Sequence, residues 1–359
     1  MLSELDLHIT NRCTTACRYC CFSSNRLALS EMTFKDIILI IDDAIKLGCK
    51  HIHFTGGEPL LREDILEIIR YCCDKGISMR LQTNGMLLSS QMARKLKQAG
   101  LSDIMISLDS DRSKEHDEIR GIGTWSSAVR AIYNAQEEGL NVRVNSVISK
   151  ANWERIIPTI QLVHDLDLKT YSAFYFSPIG EGKNMRDLWI EPDEYIKYWD
   201  SITEEIRCRL NLGDMNIVIE KGYVNWNDAK LLDITGFTGC GGGCLHTYNT
   251  RDYLIVRCDG NVYPCIMGID GVALGNTYDS SLKEIYMDAE NWERLIPHGD
   301  DFCLGCEHYE LCGEGCRFYP QIESGHDCRC VKEKLVPLCP IMKYNLKNNV
   351  LGGSSDDVV

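Results

Sequence analysis

No stretch of this sequence approaches the ~20 consecutive apolar residues that a membrane-crossing helix requires, so no membrane partner is expected. The opening residues, MLSELDLHIT, lack the basic start and long apolar core of a secretory signal. Also missing is any Lys/Arg-rich block. With a formal net charge of −14 the chain repels phosphate backbones, and no nucleic-acid partner is expected. No internal repeat is visible. These absences point to a cytoplasmic globular protein, and 359 residues suffice for two or three domains.

What the chain has in excess is cysteine, 19 in all. The odd count, the length and the missing export signal argue against a secreted disulfide scaffold. Four cysteines, Cys13, Cys17, Cys20 and Cys21, crowd one short stretch, and eight more lie between Cys240 and Cys316. In a reducing compartment such spacings point to metal.

The first half alternates strand-like and helix-like segments. ELDLHIT, KHIHFT, ISMRLQT, DIMISLD, NVRVNSVIS and KTYSAFYFS read as strands, separated by segments of helical periodicity. The first helix is expected to open on Thr33 and close on Gly48. Six β-then-α units imply parallel strands, hence an α/β fold: a partial (β/α)6 TIM-like barrel. Reactive groups of such barrels sit at the carboxyl ends of the strands. NRCTTACRYCC, GGEP, TNG and SLD all fall there. The expected organisation is a barrel over residues 1–190, a bridge over 191–239 with a helix at 192–212 and irregular chain at 213–239, a small irregular α+β iron–sulfur domain over 240–345, and a flexible tail over 346–359.

Cys13-x3-Cys17-x2-Cys20 puts three thiolates on one loop. Zinc would need a fourth ligand from elsewhere, and a cubane cluster also normally takes four. With three, one iron stays open. This spacing, with Tyr19 before the third cysteine and the downstream motifs, resembles the radical S-adenosylmethionine (SAM) superfamily. The resemblance implies that Cys13, Cys17 and Cys20 hold a [4Fe–4S] cluster whose open iron chelates SAM, giving a 5′-deoxyadenosyl radical. It further implies SAM contacts from Tyr19, from Gly56, Gly57 and Glu58 of TGGEP, and from Asn84, Ser107 and Arg120. Taken alone, Arg120 could equally pair with Asp117 or Glu118 at the surface, and Asn84-Gly85 could be a plain turn. His8, His51 and His53, in strand runs, read as packed or hydrogen-bonded histidines.

The second array reads Cys240-x3-Cys244, Gly260-x4-Cys265, Cys303-x2-Cys306-x5-Cys312-x3-Cys316 and Cys339. It resembles the SPASM domain, which carries two auxiliary [4Fe–4S] clusters, making three clusters in all. By that resemblance Cys240, Cys244, Cys265 and Cys316 hold the first and Cys303, Cys306, Cys312 and Cys339 the second. Cys258 could replace Cys240, or one iron could stay open. Two zinc knuckles are the competing reading. Cys49, Cys72, Cys73 and Cys208 are expected to be buried small hydrophobes.

Enzymes of this combined type mostly modify peptides, and a few act on small molecules such as aminoglycosides. Sulfatase-maturing members place Asp after the cysteine of Gly-x4-Cys; here Ile266 stands there, so formylglycine formation is disfavoured. The first strand begins by Glu4, so no leader-binding domain of the kind found in many peptide maturases is expected ahead of it. The leading expectation is a peptide maturase that abstracts a Cα or Cβ hydrogen and forms a crosslink, thioether or epimer. Its partners would be a precursor peptide, a separate leader-binding protein, and a flavodoxin- or ferredoxin-type reductant. For an epimer, Cys21, Cys328 or Cys330 could return the hydrogen; Cys21, beside Cys20, is otherwise expected to pack. The alternatives are a small-molecule dehydrogenase or epimerase and a non-enzymatic iron–sulfur electron carrier.

Overall fold

A computed structural model describes residues 1–27, 29–177, 179–190, 194, 198, 202, 212, 214–219, 251–271 and 273–294. Strands β1 (Glu4–His8), β2 (His51–Thr55), β3 (Ser78–Thr83), β4 (Asp103–Ser107), β5 (Asn141–Ile148) and β6 (Thr170–Tyr175) lie side by side in chain order, all parallel. Helices α1 (Phe34–Lys46), α2 (Ile65–Asp74), α3 (Ser90–Gln98), α4 (Ser113–Arg120), α5 (Thr124–Glu137) and α6 (Ile156–Asp165) connect them. This is the α/β TIM-like fold expected.

Local chemistry explains the units. Thr33 caps α1 reciprocally: its hydroxyl accepts from the Asp36 amide while Asp36 accepts from the Thr33 amide. Ile37, Ile40, Ile41 and Ala44 recur at helical spacing and are buried against the sheet. The helix stops at Gly48, whose φ of +98° suits glycine. Along each strand one set of side chains faces the helices: Leu5 and Leu7, Ile52 and Phe54, Leu81, Ile104 and Ile106, Val142 and Val144 form one apolar core. The alternate set faces the opposite side and is polar. There Asp6 meets His53 (3.4 Å) and Tyr253 Oη (2.6 Å), and Asp103 takes Arg80 (3.3 Å) and Arg143 (2.9 Å).

The sheet extends beyond the six units. β7 (Asn216–Ile219) adds in parallel to β6, within the stretch expected to be irregular; four residues are too few to show periodicity. At the other edge β8 (Tyr253–Val256) pairs in parallel with β1, and β9 (Asn261–Tyr263) and β10 (Gly275–Asn276) follow antiparallel, making ten strands among the described residues. Chain from beyond Cys240 thus shares the barrel's own sheet. Two short helices, α7 (Leu282–Met287) and α8 (Ala289–Glu293), pack alongside, α7 against α1.

One helix was not anticipated, and further expectations change or fall outside the description. α4 was not anticipated, because its sequence SKEHDEIR is polar; its buried side chains are His116, Ile119 and Arg120. Cys49 and Cys72 are buried as expected, but Cys73 is exposed on the outer side of α2. Cys208, nearly all of the helix expected at 192–212, and the tail at 346–359 lie outside the described residues. Among the described residues no helix is long and apolar enough to cross a membrane.

Candidate active site

The loop after β1 carries the first cysteines, and its shape is fixed by side-chain staples. Asn25, in the left-handed region at φ +64°, accepts from the Cys13 amide (2.8 Å) and donates to the Cys13 carbonyl (2.7 Å). Thr10 donates to Glu31 at 2.5 Å and accepts from the Arg12 amide at 3.1 Å. Buried Arg62 donates to the carbonyls of Ile9 (2.8 Å) and Met32 (3.0 Å) and pairs with Asp64 (2.7 Å), tying the base of the loop to the turn after β2.

The thiols stand on this frame. The Thr15 hydroxyl lies 3.3 Å from Cys13 Sγ and 3.4 Å from Cys17 Sγ, so one group touches both sulfurs. Cys20 Sγ accepts from the Ser24 amide at 3.4 Å. Burial raises the pKa of Cys13 and of Cys17, an environment that favours neutral thiols until a metal takes the proton's place. Among the described residues no three ligating side chains are gathered on one point. Three soft donors on a single stapled loop, two of them sharing a hydroxyl, nevertheless form a donor set that fits an iron–sulfur cluster.

The loop after β2 lies directly on the cysteine loop. The Gly57 amide donates to Thr10 O and the Glu58 amide to Arg12 O, each at 2.8 Å. A Cβ on Gly57 would stand 2.1 Å from Arg12 O, and Gly56 sits at φ +140° with a Cβ position 2.5 Å from Thr10 O. The close approach that these glycines permit is therefore to the chain's own backbone. Glu58 is fully buried. It accepts from Leu60 N (3.1 Å), from Asn84 N (2.9 Å) and from Thr83 Oγ1 on both oxygens (2.8 and 2.9 Å). Burial pushes its carboxyl up to about 7 against the pull of those hydrogen bonds. Glu58 thus straps β2 to the end of β3, where Asn84 Nδ2 reaches Thr14 Oγ1 (2.9 Å) and Cys13 Sγ (3.7 Å).

A buried assembly built on Asp109 completes the rim. Its carboxylate accepts from Tyr19 Oη, from Arg120 Nε (2.5 Å) and Nη2 (3.2 Å), and from the Val147 amide (2.9 Å). Its amide donates to His116 Nδ1 (3.1 Å), and its carbonyl accepts from Asn152 (2.8 Å). The Arg120 guanidinium also lies over the Tyr19 ring, 5.5 Å from the centroid. Burial opposes ionisation of Asp109, but the adjacent Arg120 outweighs it and holds the carboxyl below its usual range. Arg120 is thus not the surface partner of Asp117 or Glu118. Asp117 instead caps α5, accepting from Gly123 N (2.7 Å) and Trp125 N (2.8 Å). Ser107, buried at the end of β4, lies two residues before Asp109. Sequence reasoning had SLD in hand but passed over its aspartate. The signal was there: an acidic residue ending a buried strand demands a buried cation, and Arg120 is the one that meets it.

Chain after β6 closes over the cysteine loop. Gly180, at φ +54°, has a Cβ position 2.3 Å from Cys21 O, and the Glu181 amide donates to Cys20 O at 3.0 Å. Arg26 pairs with Glu181 (3.5 Å) and Arg18 with Asp187 (2.5 Å). Cys21 and Phe22 pack against an apolar cluster of Ile179, Ile255, Tyr263 and Ile269. Cys265 is buried at the start of the turn Ile266–Asp270, beside this cluster. Cys258 is buried too; burial pushes its thiol up to about 12. Cys240, Cys244, Cys303, Cys306, Cys312, Cys316, Cys328, Cys330 and Cys339 lie outside the described residues.

The family model of the Radical SAM superfamily matches residues 7–163, and that of the SPASM iron-sulfur cluster-binding domain matches residues 244–314. The chain belongs to the radical SAM superfamily and carries a SPASM domain. This radical SAM/SPASM chain is 27% identical over 317 residues to an AdoMet-dependent heme synthase of Methanosarcina barkeri, covering 86% of this chain and 89% of that protein. It is 26% identical over 337 residues to the mycofactocin maturase of Mycobacterium tuberculosis, covering 91% and 82%. Its fold matches that of Streptococcus suis SuiB bound to S-adenosylmethionine with a TM-score of 0.70 at 20% identity, over 89% of this chain and 73% of SuiB. SuiB is also solved bound to the precursor peptide SuiA.

Proposed function

We propose that this radical SAM/SPASM chain is a peptide maturase, acting by hydrogen abstraction at Cα or Cβ of a precursor peptide. The carrying observation is the single rim on which the three-cysteine loop, the GGEP loop and the Asp109–Arg120–Tyr19 assembly meet. Bound there, a [4Fe–4S] cluster and SAM supply a 5′-deoxyadenosyl radical. The chain's own residues bind and orient. Cys13, Cys17 and Cys20 would hold the iron, and Arg120, fixed by Asp109, would pair with the SAM carboxylate. Ser107 and Asn84 would offer hydrogen bonds at the neighbouring strand ends, Tyr19 would wall the adenine side, and the backbone around Gly56 and Gly57 would meet the SAM ammonium. Glu58, with its carboxylate occupied by Thr83 and Asn84, holds that backbone in place. Chain after β6 and the apolar cluster under Cys21 shield the loop from water.

In the SPASM region we assign Cys240, Cys244, Cys265 and Cys316 to one auxiliary cluster, and Cys303, Cys306, Cys312 and Cys339 to another. A flavodoxin- or ferredoxin-type protein would supply electrons, and a separate protein could present the peptide leader. The peptide reading is supported by the mycofactocin maturase similarity across 91% of the chain and by the SuiB fold. The similarity to the heme synthase across 86% of the chain favours a tetrapyrrole as the second reading.

Anaerobic reconstitution tests the proposal. The protein should bind about twelve irons and release 5′-deoxyadenosine from SAM on reduction. Replacing Cys13, Cys17 and Cys20 by Ala should abolish that release. Bound zinc, or SAM left intact after full reconstitution, would sink it. Incubation with candidate precursor peptides and with iron-coproporphyrin, followed by mass spectrometry, separates the two substrates.

A further inference from the structure

β1 and β8 meet with Glu4 opposite Tyr253 and Asp6 opposite Ile255. The same register carried one step further sets His8 beside Arg257, on the polar face where Tyr253 reaches Asp6. His8 ends the barrel's first strand, after which the cysteine loop begins; Arg257 lies within residues 244–314, which match the SPASM domain. The two are therefore brought together only by the joining of those parts.

Both are buried with unmet hydrogen-bonding capacity. His8 is 0% exposed and lies flat on Phe22, ring centroids 4.2 Å apart and planes at 12°. Neither of its ring nitrogens has a hydrogen-bond partner among the described residues. Arg257 is 9% exposed, and its Nε–H is likewise buried without a partner. Asp259 lies 3.5 Å from Nη2, beyond the about 2.7–2.9 Å of a charge-assisted hydrogen bond, and its carboxylate already accepts from Asn261 N (3.3 Å) and Nδ2 (3.1 Å). Each buried donor left unsatisfied costs about 1–3 kcal/mol, so this corner is built to receive a group that supplies acceptors.

We propose that His8 and Arg257 form a subsite for a carboxylate group of the substrate. The side edge of a guanidinium offers parallel N–H donors that match the two oxygens of a carboxylate, and an imidazole N–H adds a further donor. A cation is repelled by Arg257. A neutral amide supplies a single acceptor oxygen where a carboxylate supplies two, and adds no charge complementary to the guanidinium. Burial and the charge of Arg257 together hold His8 neutral, down to about 3, so a donor and an acceptor nitrogen are both present. A carboxylate anchored here would fix one end of the substrate at the carboxyl rim of β1, beside the loop that carries Cys13. The subsite rests on the reading that this barrel holds a carboxylate-bearing peptide, either through an acidic side chain or through the C-terminus.

The test is a binding measurement on the reconstituted full-length protein, using propionate as the side-chain probe and N-acetylglycine as the C-terminal probe. Propionamide and inorganic phosphate serve as comparisons. Calorimetric titration should detect at least one carboxylate probe, with affinity about tenfold or more weaker in Arg257→Gln and partly restored in Arg257→Lys. His8→Phe should weaken the same probe. Tighter binding of N-acetylglycine assigns the C-terminus, and tighter binding of propionate assigns a side chain. Equal affinity in wild type and Arg257→Gln, equal response to propionamide, or Arg257-dependent binding of phosphate alone would each overturn the carboxylate subsite. Should Arg257→Gln fail to fold, failure of all carboxylate probes to bind the wild-type protein overturns it equally. SAM cleavage is read separately: intact SAM alongside Arg257-dependent carboxylate binding removes the proposed function and leaves the subsite.

Discussion

Arg120 Nε lies 2.5 Å from Asp109 Oδ2, with Nη2 3.2 Å from Oδ1, and the Asp109 side chain is 0% exposed. A buried pair of this kind is worth little over an apolar substitute, yet breaking it strands a charge. Asp109→Asn should therefore cost about 3–5 kcal/mol and weaken SAM binding, because Arg120 loses the partner that orients it. Pairing Asp109→Asn with Arg120→Gln checks this in urea unfolding. The double variant should be less destabilised than the two single losses added. Strict additivity would show that the pair is not coupled.

Gly180→Ala is expected to damage the cysteine loop from outside it. The new Cβ would press on Cys21 O, and φ of +54° disfavours any side chain. Loss of at least ~1 kcal/mol and reduced iron retention should follow, measured as iron and sulfide per chain after gel filtration. Normal iron content would show that the segment after β6 only covers the loop.

Cys21 packs with Phe22 against Ile179, Ile255 and Tyr263, so Cys21→Ala should leave the iron content unchanged and 5′-deoxyadenosine release intact. By contrast Cys17→Ala should lower both. If Cys21→Ala preserves SAM cleavage and stops product formation, Cys21 belongs to the chemistry.

The pH dependence pits groups of opposite sign against each other. Glu58 is raised to about 7 in the folded chain, so it adds stability as pH falls from 7 toward 4.5. His8, His51 and His116, lowered to about 3, about 4 and about 4 chiefly by burial, bind protons only when unfolded and remove stability as pH falls below 6.5. Each such group contributes a slope of at most about 1.4 kcal/mol per pH unit, so three histidines outweigh one glutamate. Thermal midpoints should decline from pH 6.5 to 5, and Glu58→Gln should steepen the decline. A shallower decline in Glu58→Gln would place the Glu58 proton elsewhere.

The barrel was legible because its signals are local and repeated. Thr33, Gly48 and the Ile37–Ile40–Ile41–Ala44 stripe announce a helix without any knowledge of its neighbours. Parallel order follows from helices between strands, and the three cysteines declare themselves by spacing. What was hidden is non-local or polar. α4 buries His116 and Arg120 in place of an apolar stripe, so periodicity could not find it. Asp109 gains its meaning only when Tyr19, from 90 residues earlier, folds against it. Nothing near Tyr253 in the sequence says that its strand will pair with Glu4.

That last pairing has a consequence for synthesis. The backbone edge of β1 on its β8 side waits for a partner 249 residues away, as the contact of Ser3 with Asp252 measures. During translation β1 leaves the ribosome long before β8, and at about 5–20 residues per second the wait is on the order of tens of seconds. That interval leaves an unpaired strand edge open to other chains.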